Sequence, residues 1–219
     1  MPGGSQRVIH PELLEDAPAA IAALNLADMR RINRWFGGRR VLGNLFSGLV
    51  LPAEEFSVLD VGAASGDAGV YLQGRYSRVR VVSLDARRDH LELAPPSRVV
   101  ADAFRPPFAG RSFDIVLCAN LLHHFPDETA AALLAALYAL CRRALVVIDL
   151  ERHWLASRFL PATRAVLRWS PLTVYDGPVS VRAAFRDAEL RDLAVRAGLP
   201  RASVRRHLPW FRLSLVARR

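Results

Sequence analysis

Apolar and polar positions along this chain change period again and again, from short continuous runs to the three-to-four spacing of helices. The run Ser57–Val61 predicts a first strand, with a helix starting near Gly66. Arg78–Asp85 predicts a second strand, followed by a short helix over 87–93 that stops before Pro95-Pro96. Arg98–Ala101 predicts a third strand. Asp114–Ala119 predicts a fourth, and its unbroken apolar run suits a strand covered on both faces. Pro126-Asp127-Glu128 makes a favourable first helical turn, with a fixed φ and acids at the positive end of the helix dipole. That helix runs to about Leu140, and Ala144–Leu150 predicts a fifth strand. Ahead of the first strand, residues 11–36 read as one or two helices ending near Gly37-Gly38, and 41–51 as a short helix before Pro52.

The alternation breaks at 151–180, which is rich in arginine and aromatics and carries Pro161, Pro171 and Pro178; it predicts an inserted helix or two and a loop. Asp187–Ala197 predicts a helix closed by Gly198. Two strand-like runs remain, 202–207 and 211–217. Only Leu208-Pro209-Trp210 separates them, too short for a helical crossover, so they pair as an antiparallel hairpin. The expected fold is α/β: a Rossmann-like seven-stranded sheet of five parallel strands and a C-terminal antiparallel hairpin, with helices on both faces. Residues 1–50 form an N-terminal helical cap, and 51–219 the main domain with 151–180 as a lid-like insertion.

Composition adds limits. At 219 residues and 52% hydrophobic content, the chain can bury one sizeable core. No apolar run reaches the ~18 residues that cross a bilayer. The start, Met1-Pro2-Gly3-Gly4-Ser5, lacks the charged and apolar regions of a secretory signal. Cys118 and Cys141 lie in apolar stretches, as buried thiols do in a reducing compartment. The expected location is the cytoplasm. The net charge is +9, and all 30 basic residues are arginine. Residues 1–150 hold 16 arginines and 16 acids, and residues 151–219 hold 14 arginines and 5 acids, so the whole excess sits in the last third. It reads as a solvated arginine-rich surface; the alternative is a basic face for an anionic lipid, a carrier protein or an acidic substrate.

The chemistry concentrates after the first strand. Val58-Leu59-Asp60-Val61-Gly62-Ala63-Ala64-Ser65-Gly66 is a strand, an acid and a glycine-bearing turn ahead of a helix. A carboxylate two residues before the first glycine would repel a pyrophosphate, but suits a cationic, hydroxyl-rich ligand such as S-adenosylmethionine. Ser65 stands one place late for a nucleophile elbow and reads as a loop hydrogen-bonding residue. Three further segments follow in order: Val82-Ser83-Leu84-Asp85, Ala101-Asp102-Ala103, and Phe113-Asp114-Ile115-Val116-Leu117-Cys118-Ala119-Asn120-Leu121-Leu122-His123-His124-Phe125. Together the four segments resemble the motifs of the class I S-adenosylmethionine-dependent methyltransferases, over about Leu51 to Arg219, and in particular bacterial small-molecule enzymes of quinone and polyketide type. One position departs: Ala64 stands where the family usually has glycine.

The resemblance implies a cofactor site of Asp60, Gly62, Ala63, Ala64, Ser65, Gly66, Asp85, Ala86, Asp102, Ala103, Asn120 and Leu121. In it Asp85 accepts the ribose hydroxyls and Asp102 the adenine amino group. The candidate general bases are His124, His123 and His153. Asn33, Trp35, Trp154 and Tyr175 are candidate acceptor contacts, with Met29 and Ile32 beside Asn33, and the lid offers Trp154, Phe159, Leu160, Leu167, Trp169 and Tyr175 as apolar surface with Arg152, Arg158, Arg164 and Arg168 between them. No metal is expected, since no Cys cluster or zinc-like spacing is present. The expected reaction is methylation of a phenolic or quinone-like oxygen, or of an activated ring carbon, of a small apolar acceptor. Nucleic acid is not an expected partner, contact with a membrane or carrier protein is an open alternative, and the number of subunits is unspecified. Rival readings are an RNA or protein methyltransferase using the basic last third, a non-catalytic protein of the same fold, and a nicotinamide oxidoreductase.

Overall fold

The computed structural model describes residues 6–219; the expectation placed on Met1–Ser5 lies outside the described residues. Seven strands form one sheet: β1 (Phe56–Val61), β2 (Val79–Asp85), β3 (Arg98–Val100), β4 (Phe113–Ala119), β5 (Cys141–Leu150), β6 (Ser203–His207) and β7 (Arg212–Arg218). Their order is β3-β2-β1-β4-β5-β7-β6. The first five run parallel, and β7 is antiparallel to both β5 and β6, as the short link between the last two strands requires.

The helices are α1 (Ala19–Trp35), α2 (Gly38–Ser47), α3 (Asp67–Arg75), α4 (Asp127–Leu140), α5 (Trp154–Leu167), α6 (Pro171–Ala183) and α7 (Asp187–Arg196). Side chains alternate along β1, so Leu59 and Val61 enter one core layer and Val58 the other. Leu133, Leu134 and Leu137 of α4 and Leu190 and Leu193 of α7 cover the first face. Val41, Leu42 and Phe46 of α2 and Leu72 of α3 cover the second. Each such fully buried leucine contributes about 1.5–3 kcal/mol of apolar transfer.

Several boundaries differ from expectation for local reasons. Residues 11–36 split into a single 3-10 turn, Leu13–Asp16, and α1, because Pro18 sits at the helix start. The second helix begins at Gly38 rather than Val41, since Gly37 takes φ +85° and reverses the chain at once. The region 87–93 holds only a 3-10 turn, His90–Leu93. The inserted segment is two full helices that keep Pro161 and Pro178 inside them. Pro171 occupies the first turn of α6, and the Ser170 side chain accepts from the Thr173 amide as its cap. Residues 13–47 divide in their packing: α2 belongs to a sheet face, while the Leu13–Asp16 turn and α1 lie against α6.

β1 feeds β2 and β3 to one side, and β4 and β5 lie on the other, so strand order reverses between β1 and β4. Pairings such as Val61 with Leu84 and with Cys118 bring three carboxyl ends to one level. A crevice opens there, where open α/β sheets bind ligands. Among the described residues, no helix is long and apolar enough to cross a membrane.

Candidate active site

The crevice deepens into a cavity of about 1090 Å³ between the strand ends, α1, α5, α6 and the turn of the terminal hairpin. One end is built by the first loop. Gly62, Ala64 and Gly66 all adopt positive φ, at +68°, +46° and +66°. A Cβ at Gly62 would stand 2.9 Å from a Leu121 methyl, and the positive φ itself would strain any other residue there. Asp85 is 9% exposed and lines the cavity. Its Oδ2 accepts the Ala64 amide at 2.8 Å, and its Oδ1 accepts the Arg87 amide at 2.9 Å. Each oxygen keeps a lone pair for a further donor.

Gly62, Ala64, Asp85, Asn120 and Leu121 line the cavity as expected positions, while Ala63, Ser65 and Gly66 complete the loop outside the lining. Asp60 also stands outside it. Strand alternation turns it to the α3 side, beneath the loop, where Oδ2 has no hydrogen-bond partner. Burial, then the charges of Asp67 and Asp85, push its carboxyl up to about 7, against a hydrogen bond from the Gly69 amide. Asp102 is exposed and accepts the Phe104 amide at 2.9 Å, ordering its own turn; Ala86 is exposed, and neither lines the cavity. Ala103 packs at the edge of the core instead.

The other polar cluster is buried. His123 Nδ1 lies 2.6 Å from Asp149 Oδ1, and the His123 amide donates to Asp149 Oδ2 at 3.1 Å. On the other side, His123 Nε2 is 3.5 Å from Glu12 Oε1, which also accepts from the Ser180 hydroxyl. Burial opposes a charge on His123, but the Asp149 carboxylate and Glu12 outweigh it and raise its imidazole to about 10. His123 is therefore held as an imidazolium between two carboxylates. The neighbouring His124 ring stacks on it at 4.4 Å, and burial followed by the His123 charge lowers its pKa, so at neutral pH it is the uncharged partner. Glu12, His123 and His124 each place a ligand atom within 4.8 Å of the others, a grouping that no sequence spacing announced.

Two arginines hold the segment that carries Glu12. Arg7 donates to the carbonyls of His123 and Phe125 at 2.9 and 2.7 Å and pairs with Asp127 at 2.8 Å. Arg87 donates to the carbonyls of Leu14 and Ala17, each at 3.2 Å.

Helical phase decides the walls. Met29, Ile32, Asn33 and Phe36 of the α1 region face inward, as do Leu155, Phe159, Ala162 and Thr163 of α5 and Thr173, Asp176, Gly177 and Ser180 of α6. Of the expected acceptor contacts, only Asn33 lies among them. Trp35, Trp154 and Tyr175 stand on the opposite helical faces, 51%, 63% and 55% exposed. His153 is also placed differently: it caps α5, accepting the Leu155 amide at 3.2 Å, and stacks behind the lining residue Phe211 without lining the cavity itself.

Residues 58–144 match the family described as a methyltransferase domain. No curated protein sequence matches the chain. Among solved structures, the plantazolicin methyltransferase BamL, determined with a triazolic desmethylPZN analogue and S-adenosylhomocysteine, is 17% identical with a TM-score of 0.67, over 90% of this chain and 75% of that one. A S-adenosylmethionine-dependent methyltransferase from Aquifex aeolicus is 15% identical with a TM-score of 0.63, over 90% of this chain and 97% of that one. A protein of Nostoc punctiforme PCC 73102, described there as a candidate O-methyltransferase, is 20% identical with a TM-score of 0.61 over 84% of this chain; the match spans only 56% of that longer protein. These likenesses share the fold, and the matched domain runs from the first motif to the start of β5. Residues 58–144 match a methyltransferase domain, and the chain shares the fold of solved S-adenosylmethionine-dependent methyltransferases.

Proposed function

We propose that the chain transfers a methyl group to a small, apolar, aromatic or quinone-like acceptor held under α5 and α6. The observation that carries this reading is a single cavity that joins the Asp85 loop to an uncharged His124 beneath apolar walls. The donor fits the first end: positive-φ backbone allows close approach, and a buried carboxylate with free lone pairs suits ribose hydroxyls. S-adenosylmethionine supplies an activated methyl on a sulfonium. What remains for this chain is alignment, which in favourable cases supplies ~7–11 kcal/mol of a barrier.

The acceptor must also lose a proton. His123 is already protonated and buried, so it holds the cluster together and does not serve as the base. His124 lines the cavity and carries the free lone pair. It takes the proton of an acceptor hydroxyl or activated C–H as the methyl–sulfur bond breaks, the bond's electrons passing to sulfur. Glu15 Oε1, 3.4 Å from its Nδ1, then faces the imidazolium that forms. A positioned base contributes ~100- to 10,000-fold.

The α5–α6 pair serves as the lid in this reading, with Leu155, Phe159 and Leu160 excluding water from the acceptor. Of the fourteen arginines of the last third, Arg152, Arg191, Arg196 and Arg206 are paired with acids and Arg212 is buried. The test is formation of S-adenosylhomocysteine from S-adenosylmethionine with a panel of phenols, hydroxyquinones and 1,3-dicarbonyl compounds, set beside tRNA and peptide pools. Turnover confined to the small acceptors is expected; turnover confined to a polymer would contradict the proposal.

A further inference from the structure

Arg212, the first residue of β7, presents a problem that methyl transfer as described above leaves unsolved. Its side chain is 3% exposed, yet it makes no ion pair among the described residues. Nη1 donates to Asn120 Oδ1 and Nη2 to Asn33 Oδ1, both at 3.1 Å, and Nε has no partner. Both amides that hold the guanidinium line the cavity, as Arg212 does. The other arginines of the lining are already engaged: Arg87 is paired with Asp89, and Arg158 lies over the Trp154 ring.

A buried cation that hydrogen-bonds only to neutral acceptors, with the Asp149 and Asp67 carboxylates acting from a distance, keeps a desolvation penalty that those charges only partly offset. Folds tolerate such a group where a ligand completes it. The chemistry matches one ligand class closely. A guanidinium presents a planar fork of donors that meets a carboxylate in two parallel hydrogen bonds. The two asparagine oxygens fix the plane of that fork before any ligand arrives. Asn33 on α1, Asn120 at the end of β4 and Arg212 on β7 come from three distant parts of the chain, so the arrangement is invisible to local sequence reading.

We propose that Arg212 is a carboxylate-binding residue of the cavity, completed by an acid group that enters with a ligand. Two carboxylates can reach it: the methionine end of the bound donor, or an acid carried by the acceptor. The inference rests on the reading that donor and acceptor share this cavity.

Calorimetry separates the cases. Wild-type protein, Arg212→Gln and Arg212→Lys are titrated with S-adenosylhomocysteine, with its decarboxylated analogue, and, once loaded with S-adenosylhomocysteine, with benzoate as a simple acid probe. Thermal melts check that each variant folds. If the donor supplies the carboxylate, Arg212→Gln loses about 10- to 100-fold in affinity for S-adenosylhomocysteine and none for the decarboxylated analogue. If the acceptor supplies it, affinity for S-adenosylhomocysteine is unchanged, and benzoate binds wild type but not Arg212→Gln. Arg212→Lys retains part of whichever affinity is lost.

A merely structural arginine would weaken both nucleosides equally and leave benzoate unbound by every protein; that result overturns the proposal. The wild type alone also decides if the variants do not fold: equal affinity for the two nucleosides together with no benzoate binding overturns it. Failure of the wild type to bind either nucleoside contradicts the shared-cavity reading itself, a different outcome from binding that ignores the carboxylate.

Discussion

The Asp85 carboxylate accepts the Ala64 amide at 2.8 Å, so the acid that ends β2 is tied to the tip of the loop that follows β1. The contact places the proposed ribose acceptor and the close-approach backbone in one unit. Replacing Asp85 with alanine removes both the ligand contact and the loop tether. We expect S-adenosylhomocysteine affinity to fall by about 1.5–3 kcal/mol, as loss of a hydrogen bond to a charged group does. Calorimetry checks it, and affinity equal to wild type would remove Asp85 from the cofactor site.

Loop strain sits one bond away. Ala64 holds φ +46°, a left-handed conformation that costs an L-residue about 1–2 kcal/mol. Ala64→Gly relieves it and should stabilise the protein by roughly 1 kcal/mol, raising the melting midpoint by roughly 2–4 °C. A lowered midpoint would show that the alanine methyl contributes packing that outweighs the backbone cost.

The Asp149–His123–Glu12 row makes stability depend on pH with a definite sign. His123 binds its proton more tightly folded, at about 10, than its ordinary 6.5, so its contribution is complete below pH 6.5 and is lost as pH rises toward 10. In urea unfolding, the advantage of wild type over His123→Gln should shrink steadily across that window. Asp149→Asn should show the same shrinking difference, since it removes the main attraction for the proton. A pH-independent difference would mean His123 is neutral in the folded protein.

His124 and His153 should behave oppositely. His124→Ala should cut turnover by about 100-fold or more with S-adenosylhomocysteine affinity kept. His153→Ala should leave turnover near normal and cost about 1 kcal/mol of stability as a lost helix cap. Steady-state kinetics beside thermal melts distinguishes the two; reversed outcomes would exchange their roles.

Much of the fold was legible because strand and helix periods differ and because the terminal link is too short for a crossover. The first-motif loop and Asp85 were legible for the same reason, since they are local in sequence and sit at strand ends. What escaped reading is non-local. Glu12 lies in an aperiodic stretch and becomes part of the site through distant contacts: Arg7 on the His123 carbonyl, Arg87 on the Leu14 carbonyl, and Asp176 on the Leu13 and Leu14 amides. Asp149 looked like one more residue of a buried strand until His123 was placed beside it. The aromatic residues misled because composition names a hydrophobic surface without its direction. Phe159 turns inward and Trp154 outward on one helix, five residues apart, a difference of phase that only the docked helix decides.

The central claim is that donor and acceptor meet in the cavity at the β1, β2 and β4 ends. A crystal structure of the complex with S-adenosylhomocysteine tests it most directly. The account predicts ribose hydroxyls on the Asp85 carboxylate and the sulfur facing the space beside His124. A nucleoside bound elsewhere, or with its ribose turned away from Asp85, would contradict it.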